Sequence, residues 1–378
     1  MRIIQIVENL DKGAVENWLV NVFIKSREYR PDWSWTFYCI LGRPGKLDDK
    51  VRAAGGNILY SPCTISDKFN FLRALRHTLR IGHYDIIHSH HDFLSGFYLL
   101  STIGISFKQR ILHVHNTDEA LPVGRKWIKN LLLQPFKWIG DLLSDKIVSI
   151  SNHTLAMFIK DSQRLKKKSQ VLYYGIDFSR FEKPHSSSDI RSSLNIPTSA
   201  KLLLFIGRMD PLKNPIFVID VLNELLKQDT NYIALFVGQG ELFEGVKRKA
   251  EGYKIEDQIR MLGWREDIVD LLHAADIFIF PRLEEPKEGL GLVVVEAQAS
   301  GIPILVTKGI VEDAIVIKEL VGILPLSSAE EWASVIINKL KKPSGISPAE
   351  ALQQMKMSRF NLSTSTRSLI ELYETPLV

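Results

Sequence analysis

The first half of the chain alternates short apolar runs, each long enough for one buried strand, with longer segments of helical periodicity. The predicted strands are Ile3–Val7, Trp35–Leu41, Asn57–Tyr60, Asp85–Ser89, Arg110–His115, Lys146–Ile150 and Val171–Tyr173. The segments Glu16–Arg27, Phe71–Ile81 and Trp127–Leu143 carry apolar residues at helical spacing. Strands that alternate with helices predict a parallel sheet with helices on both faces.

The second half repeats this pattern, with strands predicted at Leu202–Ile206, Tyr232–Val237, Ile277–Phe280 and Pro303–Val306. Between the halves, residues 182–201 are rich in Ser and Pro and poor in apolar residues, which is typical of a domain boundary. The pattern therefore predicts an α/β chain of two Rossmann-like, doubly wound domains, at 1–181 and 182–348. Two such domains are expected to face each other across a cleft that binds the ligand.

Composition narrows the class of protein. A chain of 378 residues is long for one core, and its 45% apolar and 24% charged residues are ordinary for a globular protein. Cys39 and Cys63 are too few for a disulfide framework or a cysteine metal site. The N-terminal residues read as a strand rather than a signal peptide, and no apolar run is long enough to span a bilayer. We expect a cytoplasmic protein.

The charge is distributed unevenly. Residues 1–180 hold 26 Lys and Arg against 16 Asp and Glu, whereas residues 181–378 hold 22 against 27. Within the basic half, Arg125–Ile139 mixes Lys, Trp and Leu in the manner of an interfacial helix, with a kink expected at Pro135. Peripheral attachment to an anionic membrane is one interpretation, and an ordinary Lys-rich surface over a packed helix is the other. No nucleic-acid motif accompanies the basic charge, so nucleic acid is not an expected partner.

The most informative stretch of sequence runs from Asp276 to Thr307. It reads as a buried strand, a loop with Glu288, Gly289 and Gly291, a short helix that begins near Leu292, and another strand. Glycines let a backbone approach a ligand closely, and the N-terminus of a helix favours phosphate. Glu296 lies within the helix, where its carboxylate could accept hydrogen bonds from ribose hydroxyls. The pattern predicts a site for a ligand with both hydroxyls and phosphates.

A second candidate site follows the strand that ends at Ile206. Gly207, Arg208 and Lys213 come directly after it, and an Arg with a Lys past a strand end suits a diphosphate. Two further glycines follow strands: Gly238 follows the next strand, and Gly13 follows the first strand of the chain. Each turn is compatible with a tight strand–helix connection as well as with a ligand contact.

Histidines cluster in two of the predicted strands of the first half. His88 with His90, and His113 with His115, lie two residues apart and so share a face of the sheet. A zinc site is one interpretation, although no Cys or acidic cluster completes a ligand set. Histidines that line a polar cleft are the other interpretation, with His115 placed against a substrate hydroxyl.

The motifs, in order, resemble the retaining glycosyltransferases of family 4, which have the two-domain GT-B architecture, and most closely the bacterial members that build exopolysaccharide or capsule. The resemblance covers nearly the whole chain. It rests on the Gly13 loop, Tyr84-DIIHSHHD, the strand to His115, Asp145-KIVSISNHT, Tyr174-GID, Phe205-IGRMDPLK, Leu262-GWRED, Ala275-DIFIFP and the Glu288–Glu296 segment with Gly301-IP.

The resemblance implies roles for these residues. Arg208 and Lys213 would clamp the donor diphosphate, and Glu296 would bind the ribose. Glu288 would act at the sugar, with the donor contacted by the backbone of Gly289, Leu290, Gly291, Leu292, Gly207 and Gly238. Gly13 and His115 would come from the acceptor-binding domain, and residues 349–378 would form a helical segment that crosses back to it. Such enzymes need no metal or cofactor beyond the nucleotide-sugar donor, which is expected to be UDP-linked.

The chain also departs from the family pattern. Ala14 stands where a second glycine is common, Arg282 where a serine is frequent, and Glu284–Lys287 lengthens the loop before Glu288. The expected function is transfer of a sugar to a glycan or lipid-linked acceptor in cell-surface polysaccharide synthesis. A GT-B epimerase or phosphorylase is the alternative enzyme, and a non-catalytic membrane-associated protein is a third possibility.

Overall fold

A computed structural model of the chain describes residues 1–11, 13–116, 126–160, 162–182, 187–342 and 344–375. The chain forms two compact units. The N-terminal unit comprises Met1–Ile176 with Arg359–Val378, and the C-terminal unit comprises Asp177–Ser358. The units therefore divide five residues before the boundary that composition suggested at 181/182. Of the segment 349–378, only the part from Arg359 onward belongs to the N-terminal unit.

The N-terminal unit is built on one seven-stranded sheet in the order β3-β2-β1-β4-β5-β6-β7, with every pair parallel. Its strands are β1 (Arg2–Val7), β2 (Ser34–Cys39), β3 (Asn57–Tyr60), β4 (Ile86–Ser89), β5 (Gln109–Val114), β6 (Lys146–Ser149) and β7 (Ser169–Val171). Its helices are α1 (Ala14–Ser26), α2 (Asp48–Ala53), α3 (Lys68–Gly82), α4 (Ser95–Leu99), α5 (Lys126–Leu143), α6 (Asn152–Ile159), α7 (Gln163–Lys167) and α15 (Leu362–Glu374).

The C-terminal unit has a six-stranded parallel sheet in the order β10-β9-β8-β11-β12-β13. Its strands are β8 (Lys201–Ile206), β9 (Tyr232–Val237), β10 (Ile259–Gly263), β11 (Ile277–Phe280), β12 (Ile304–Val306) and β13 (Val321–Ile323). Its helices are α8 (Ser187–Ser193), α9 (Pro215–Leu226), α10 (Phe243–Tyr253), α11 (Ile268–Ala274), α12 (Leu292–Ala299), α13 (Ala329–Lys341) and α14 (Pro348–Met357). Both units thus have the doubly wound architecture that the sequence predicts.

Each sheet reverses its winding direction beside its own first strand. In the N-terminal unit the reversal lies between β1 and β4, and in the C-terminal unit it lies between β8 and β11. In open α/β sheets a crevice opens at this point, outside the carboxyl ends of the strands, because the helices on its two sides cover opposite faces. The topology therefore marks one candidate ligand site in each unit.

The two faces of the N-terminal sheet differ in polarity. One face carries an apolar cluster in which Ile4 and Ile87 of the sheet pack with Phe71 of α3, Phe97 of α4 and the half-buried Phe136 of α5. Burying a side chain of this size contributes about 1.5–3 kcal/mol. The helices α3, α4 and α5 therefore form one layer on this face.

The opposite face holds polar side chains beneath α1 and α15. Tyr373 of α15 accepts a hydrogen bond from Gln5 Nε2 at 2.9 Å, and its hydroxyl lies 2.7 Å from His88 Nδ1. The indole of Trp18 in α1 donates to Ser365 Oγ of α15 at 2.9 Å. Because unpaired polar groups are costly in a core, α15 completes this layer by satisfying buried donors and acceptors.

Among the described residues, no helix has both the length and the apolar composition that crossing a membrane requires.

Candidate active site

Three charged side chains meet at the carboxyl edge of the C-terminal sheet, at the point where the winding reverses. Lys213 lies in the loop after β8, while Arg282 and Glu288 lie in the loop after β11. Glu288 Oε2 accepts hydrogen bonds from Lys213 Nζ and, at 2.7 Å, from Arg282 Nε. One carboxylate oxygen therefore binds two cations. We call Lys213, Arg282 and Glu288 the charged triplet.

Backbone hydrogen bonds hold the loops around the charged triplet together. The amide of Glu288 donates to the carbonyl of Gly309 at 2.8 Å, and that of Leu283 donates to the carbonyl of Leu212 at 2.8 Å. The hydroxyl of Thr307, just after β12, donates to the carbonyl of Arg282 at 2.6 Å. The loops after β8, β11 and β12 are therefore joined in one framework, which places the triplet at a defined position.

Electrostatics keep the carboxylate of Glu288 ionised. Burial raises the pKa of Glu288, but the ammonium of Lys213 and the guanidinium of Arg282 outweigh it, so the pKa lies below its ordinary value. Burial lowers the pKa of Lys213, and Glu288 partly offsets this effect. Two cations and one carboxylate leave the triplet with a net positive charge, which favours an anionic ligand at this edge.

The two cations predicted to clamp a diphosphate occupy different environments. The side chain of Lys213 is 12% exposed, whereas that of Arg208 is 79% exposed and lies 3.6 Å from Asp210 Oδ2. Arg208 follows β8 as the sequence predicts, but its guanidinium extends into solvent in this structure. Of the pair, Lys213 is the one that the fold positions.

Helix α12 begins directly after the loop that holds Glu288. Its N-cap, Gly291, has a φ of 81°, a left-handed conformation that disfavours residues with a Cβ atom. Glu296 lies one turn further along, where Arg180 approaches it at 3.4 Å from a short 3₁₀-helix, Phe178–Phe181. Burial raises the pKa of Glu296, and Arg180 opposes this increase. The N-terminus of α12 therefore lies close in sequence to both predicted carboxylates.

The remaining predicted donor contacts lie along the same sheet edge. Gly207 and Gly238 directly follow β8 and β9. A Cβ atom on Gly238, whose φ is 126°, would lie 2.0 Å from the carbonyl oxygen of Gly207. Between Glu288 and α12, Leu290 is buried, while Gly289 and Leu292 are half-buried. Of the residues predicted from sequence for the donor, the structure joins Lys213 and Glu288 directly, while Gly207 and Gly238 lie in loops that follow neighbouring strands and Arg208 extends into solvent.

The N-terminal unit has its own pocket, of about 220 Å³, at its reversal point between β1 and β4. The polar residues that line it are Glu8, Glu16, His90, His91, Asp92, His115 and Asn116. Gly13, the N-cap of α1, lies two residues before Val15, which also lines the pocket. Two of the predicted site residues, Gly13 and His115, therefore belong to this pocket or its border.

His115 is fixed in the pocket by three neighbours. Its Nδ1 lies 2.5 Å from the hydroxyl of Tyr174, its Nε2 lies 3.3 Å from His90 Nδ1, and its amide donates to Asp92 Oδ1 at 2.6 Å. Asp92 adopts a left-handed φ of 45°, a strained conformation for a residue other than glycine. Burial holds the pKa of His115 well below its ordinary value, so the ring is neutral at pH 7.

Four histidines, His88, His90, His113 and His115, stack against one another on the polar face of the N-terminal sheet. The nitrogens of His88, His90 and His113 lie within 4.8 Å of one another, as a metal site would need. The rings of His88 and His113 are nearly parallel, 7° apart at 5.2 Å between centroids. Gln5 and Tyr373 already bind His90 Nε2 and His88 Nδ1. This packing favours neutral, stacked imidazoles.

Two residues near the predicted donor site were not given roles from sequence. Arg282 was visible only as an arginine after a strand proline, and nothing in the sequence connects Arg180 to Glu296. In the N-terminal unit, the sequence likewise does not show that Asp92 and Tyr174 hold His115, because both residues are distant from it along the chain.

Comparison with known proteins matches this chain to glycosyltransferases. Residues 186–356 match the family model "Glycosyl transferases group 1", and residues 36–180 match the model "Glycosyltransferase Family 4". The first match lies within the C-terminal unit, the second ends just past Ile176, the last residue of the main part of the N-terminal unit, and together they cover most of the chain.

The individual relatives have low sequence identity to this chain, but their alignments cover most of both chains. A Staphylococcus aureus protein named capsular polysaccharide biosynthesis glycosyltransferase CapH is 26% identical over 88% of this chain and 88% of its own. An Escherichia coli UDP-Gal:alpha-D-GlcNAc-diphosphoundecaprenol alpha-1,3-galactosyltransferase is 24% identical over 69% of this chain and 67% of its own. Among solved structures, HepE of Anabaena in complex with UDP superposes with a TM-score of 0.78 at 17% identity, over 98% of this chain and 99% of its own.

Proposed function

Because the chain belongs to glycosyltransferase family 4 and has the GT-B fold, we propose that it transfers a sugar, with retention, from a UDP-linked donor during synthesis of a bacterial cell-surface polysaccharide. The observation that carries the donor assignment is the buried, net-positive charged triplet at the reversal point of the C-terminal sheet. The relatives named above support the choice of UDP and of polysaccharide synthesis. An epimerase or phosphorylase is not favoured by these relatives.

The chemistry follows from the charges. When the bond between the anomeric carbon and the β-phosphate oxygen breaks, cationic character develops on the sugar and negative charge on the diphosphate. Lys213 and the N-terminus of α12 would stabilise the diphosphate, while Glu288 would bind a sugar hydroxyl and Glu296 the ribose. A cation in contact with the leaving group stabilises the negative charge that develops there, so it would lower the barrier without a metal ion.

Retention would arise on the donor itself. The acceptor hydroxyl attacks the face from which the diphosphate departs, and its proton moves to a β-phosphate oxygen. The new carbon–oxygen bond thus replaces the broken one on the same side of the ring, and no protein nucleophile is required. His115, neutral and buried in the pocket of the N-terminal unit, is proposed to contact an acceptor or donor hydroxyl.

Slow hydrolysis of an α-linked UDP-sugar tests this mechanism without knowledge of the acceptor. Water then replaces the acceptor, and proton NMR before mutarotation is expected to show the α-anomer as the first product. We expect the same rate after treatment with EDTA, because Lys213 and Arg282 supply the positive charge. A β-anomer would contradict retention, loss of activity in EDTA would contradict metal independence, and an epimerised UDP-sugar would favour the alternative enzyme.

The acceptor is proposed to be a glycan or a lipid-linked sugar, with the enzyme held at an anionic membrane. The predicted interfacial segment 125–139 begins outside the described residues, but its later part carries Trp138, which is 66% exposed. Helix α3, in the same layer on the sheet, has Phe69 at 75% exposure and contains four Lys and Arg but no Asp or Glu. Exposed aromatic and basic residues in one layer favour an interface with anionic lipid.

Sedimentation with vesicles tests this attachment. We expect binding to vesicles that contain phosphatidylglycerol, weaker binding as salt rises, and little binding to phosphatidylcholine alone. Phe69→Ser and Trp138→Ser should each weaken binding at low salt, whereas Trp264→Ser, which removes an exposed tryptophan of the C-terminal unit, should not. Equal sedimentation with both lipids, or none at low salt, would contradict the proposal.

A further inference from the structure

Arg282 is the best-buried member of the charged triplet, with 4% of its side chain exposed. It donates through Nε to Glu288 Oε2 and through Nη1 to the carbonyl of Leu283 at 2.9 Å. Its own carbonyl accepts from Thr307. Side chain and backbone are therefore both engaged, so Arg282 is part of the framework of this edge.

Lys213 is held differently. Its ammonium donates to Glu288 Oε2, and its backbone amide donates to Asp210 Oδ1 at 2.9 Å. Among the described residues, Glu288 is the one carboxylate that hydrogen-bonds the ammonium. A lysine side chain has four rotatable bonds, so the ammonium of Lys213 can leave Glu288 for a ligand. The guanidinium of Arg282 is fixed by its hydrogen bonds.

We propose that Arg282 is a positioning residue that holds Glu288 so that Lys213 is free to move from that carboxylate to the diphosphate of the donor. This inference rests on the proposed function, since it concerns the same site. Without Arg282, the departure of Lys213 would leave Glu288 buried without a cation, which is costly. Lys213 would then stay on Glu288, and the diphosphate would lose its cation.

Binding of UDP, measured by titration calorimetry, separates this role from direct contact with the ligand. Arg282→Gln is expected to weaken UDP binding by about tenfold or more, because Lys213 is retained by Glu288. Glu288→Gln in the same protein removes the carboxylate that retains Lys213. The double variant should therefore recover UDP affinity to within about threefold of the wild type, although it will not recover sugar transfer.

Arg282→Lys keeps the positive charge but loses the planar guanidinium. Its affinity for UDP should lie between those of the wild type and Arg282→Gln. Arg191 offers a matched control in the same unit, because it too is largely buried, pairs with a carboxylate, Asp276, at 2.9 Å, and donates to backbone carbonyls. It lies at the amino ends of β8 and β11. Arg191→Gln is expected to lower thermal stability without changing UDP affinity.

The outcomes are distinguishable. If the wild type binds UDP but the double variant stays as weak as Arg282→Gln, Arg282 binds the nucleotide directly and the positioning role is wrong. If Arg282→Gln folds and binds UDP like the wild type, the role is also wrong. If the wild type binds neither UDP nor a UDP-sugar, the proposed donor itself is wrong, and the inference fails with it.

Discussion

Replacing Lys213 with alanine is expected to lower the rate of sugar transfer by roughly 10²- to 10³-fold while leaving the fold intact. The ammonium is the one largely buried cation of the site that can turn toward the diphosphate, because Arg208 is exposed and Arg282 is fixed. Charge that develops on the leaving group would then lose the cation that can turn toward it. Release of UDP from a UDP-sugar, followed by a coupled assay, measures the effect.

A matched lysine controls for the removal of charge. Lys201, the first residue of β8, pairs with Asp229 at 2.9 Å at the opposite end of the same strand. Lys201→Ala should leave the rate within about twofold of the wild type, since an exposed ion pair contributes little. Full activity in Lys213→Ala, or an equal loss in both variants, would remove Lys213 from the mechanism.

Acid is expected to destabilise the N-terminal unit between pH 6.5 and pH 5. Burial, and then the neighbouring imidazoles, hold the pKa of His88, His90, His113 and His115 well below the ordinary value of 6.5. The unfolded chain therefore binds protons in this range that the folded unit does not. Stability is complete above pH 6.5 and falls below it, by roughly 1.4 kcal/mol per pH unit for each histidine.

Two carboxyl groups oppose this effect. Burial raises the pKa of Asp92 and Glu16, so the folded unit takes up their protons before the unfolded chain does. Four histidines outnumber them, and His91, whose pKa is also lowered by burial, adds to the acid sensitivity. The net free energy of unfolding of this unit should therefore decrease as the pH falls below 6.5.

Urea unfolding at pH 7.5, 6.5 and 5.5, followed by hydrogen exchange in each unit, measures the acid effect. The C-terminal unit is the internal control, because it contains no comparable cluster among its described residues. His113→Leu sharpens the test, since neither ring nitrogen of His113 has a hydrogen-bond partner among the described residues. This variant should be tolerated at pH 7.5 and should lose about 1.4 kcal/mol less per pH unit below 6.5. A pH-independent N-terminal unit would contradict the neutral stack.

The alternating pattern was sufficient to predict the doubly wound architecture, because buried parallel strands are continuous apolar runs that loops interrupt. Strands β10 and β13 escaped prediction. In β10, Arg260 interrupts the apolar residues, and in β13 the central one of the three residues is Gly322, which is a weak strand former. Pairing with a neighbouring strand, rather than local composition, defines both.

The candidate donor site was predictable where its residues follow one another along the chain. Lys213, Glu288 and the N-cap Gly291 lie just past strand or loop signals that local sequence shows. Arg282 lacked such a signal for its role, since its pairing with Glu288 depends on how the loop folds back. The exposure of Arg208 depends on side-chain packing, which motif spacing does not specify.

During synthesis on the ribosome, the N-terminal unit emerges before the C-terminal segment that completes it. Residues Arg359–Val378 belong to the N-terminal unit, and Tyr373 and Ser365 bind Gln5, His88 and Trp18 within it. Translation produces the C-terminal unit before these contacts can form. The unit that emerges first is thus the one completed last, and until then α1 covers its histidine-bearing face without the hydrogen-bond partners that Tyr373 and Ser365 supply.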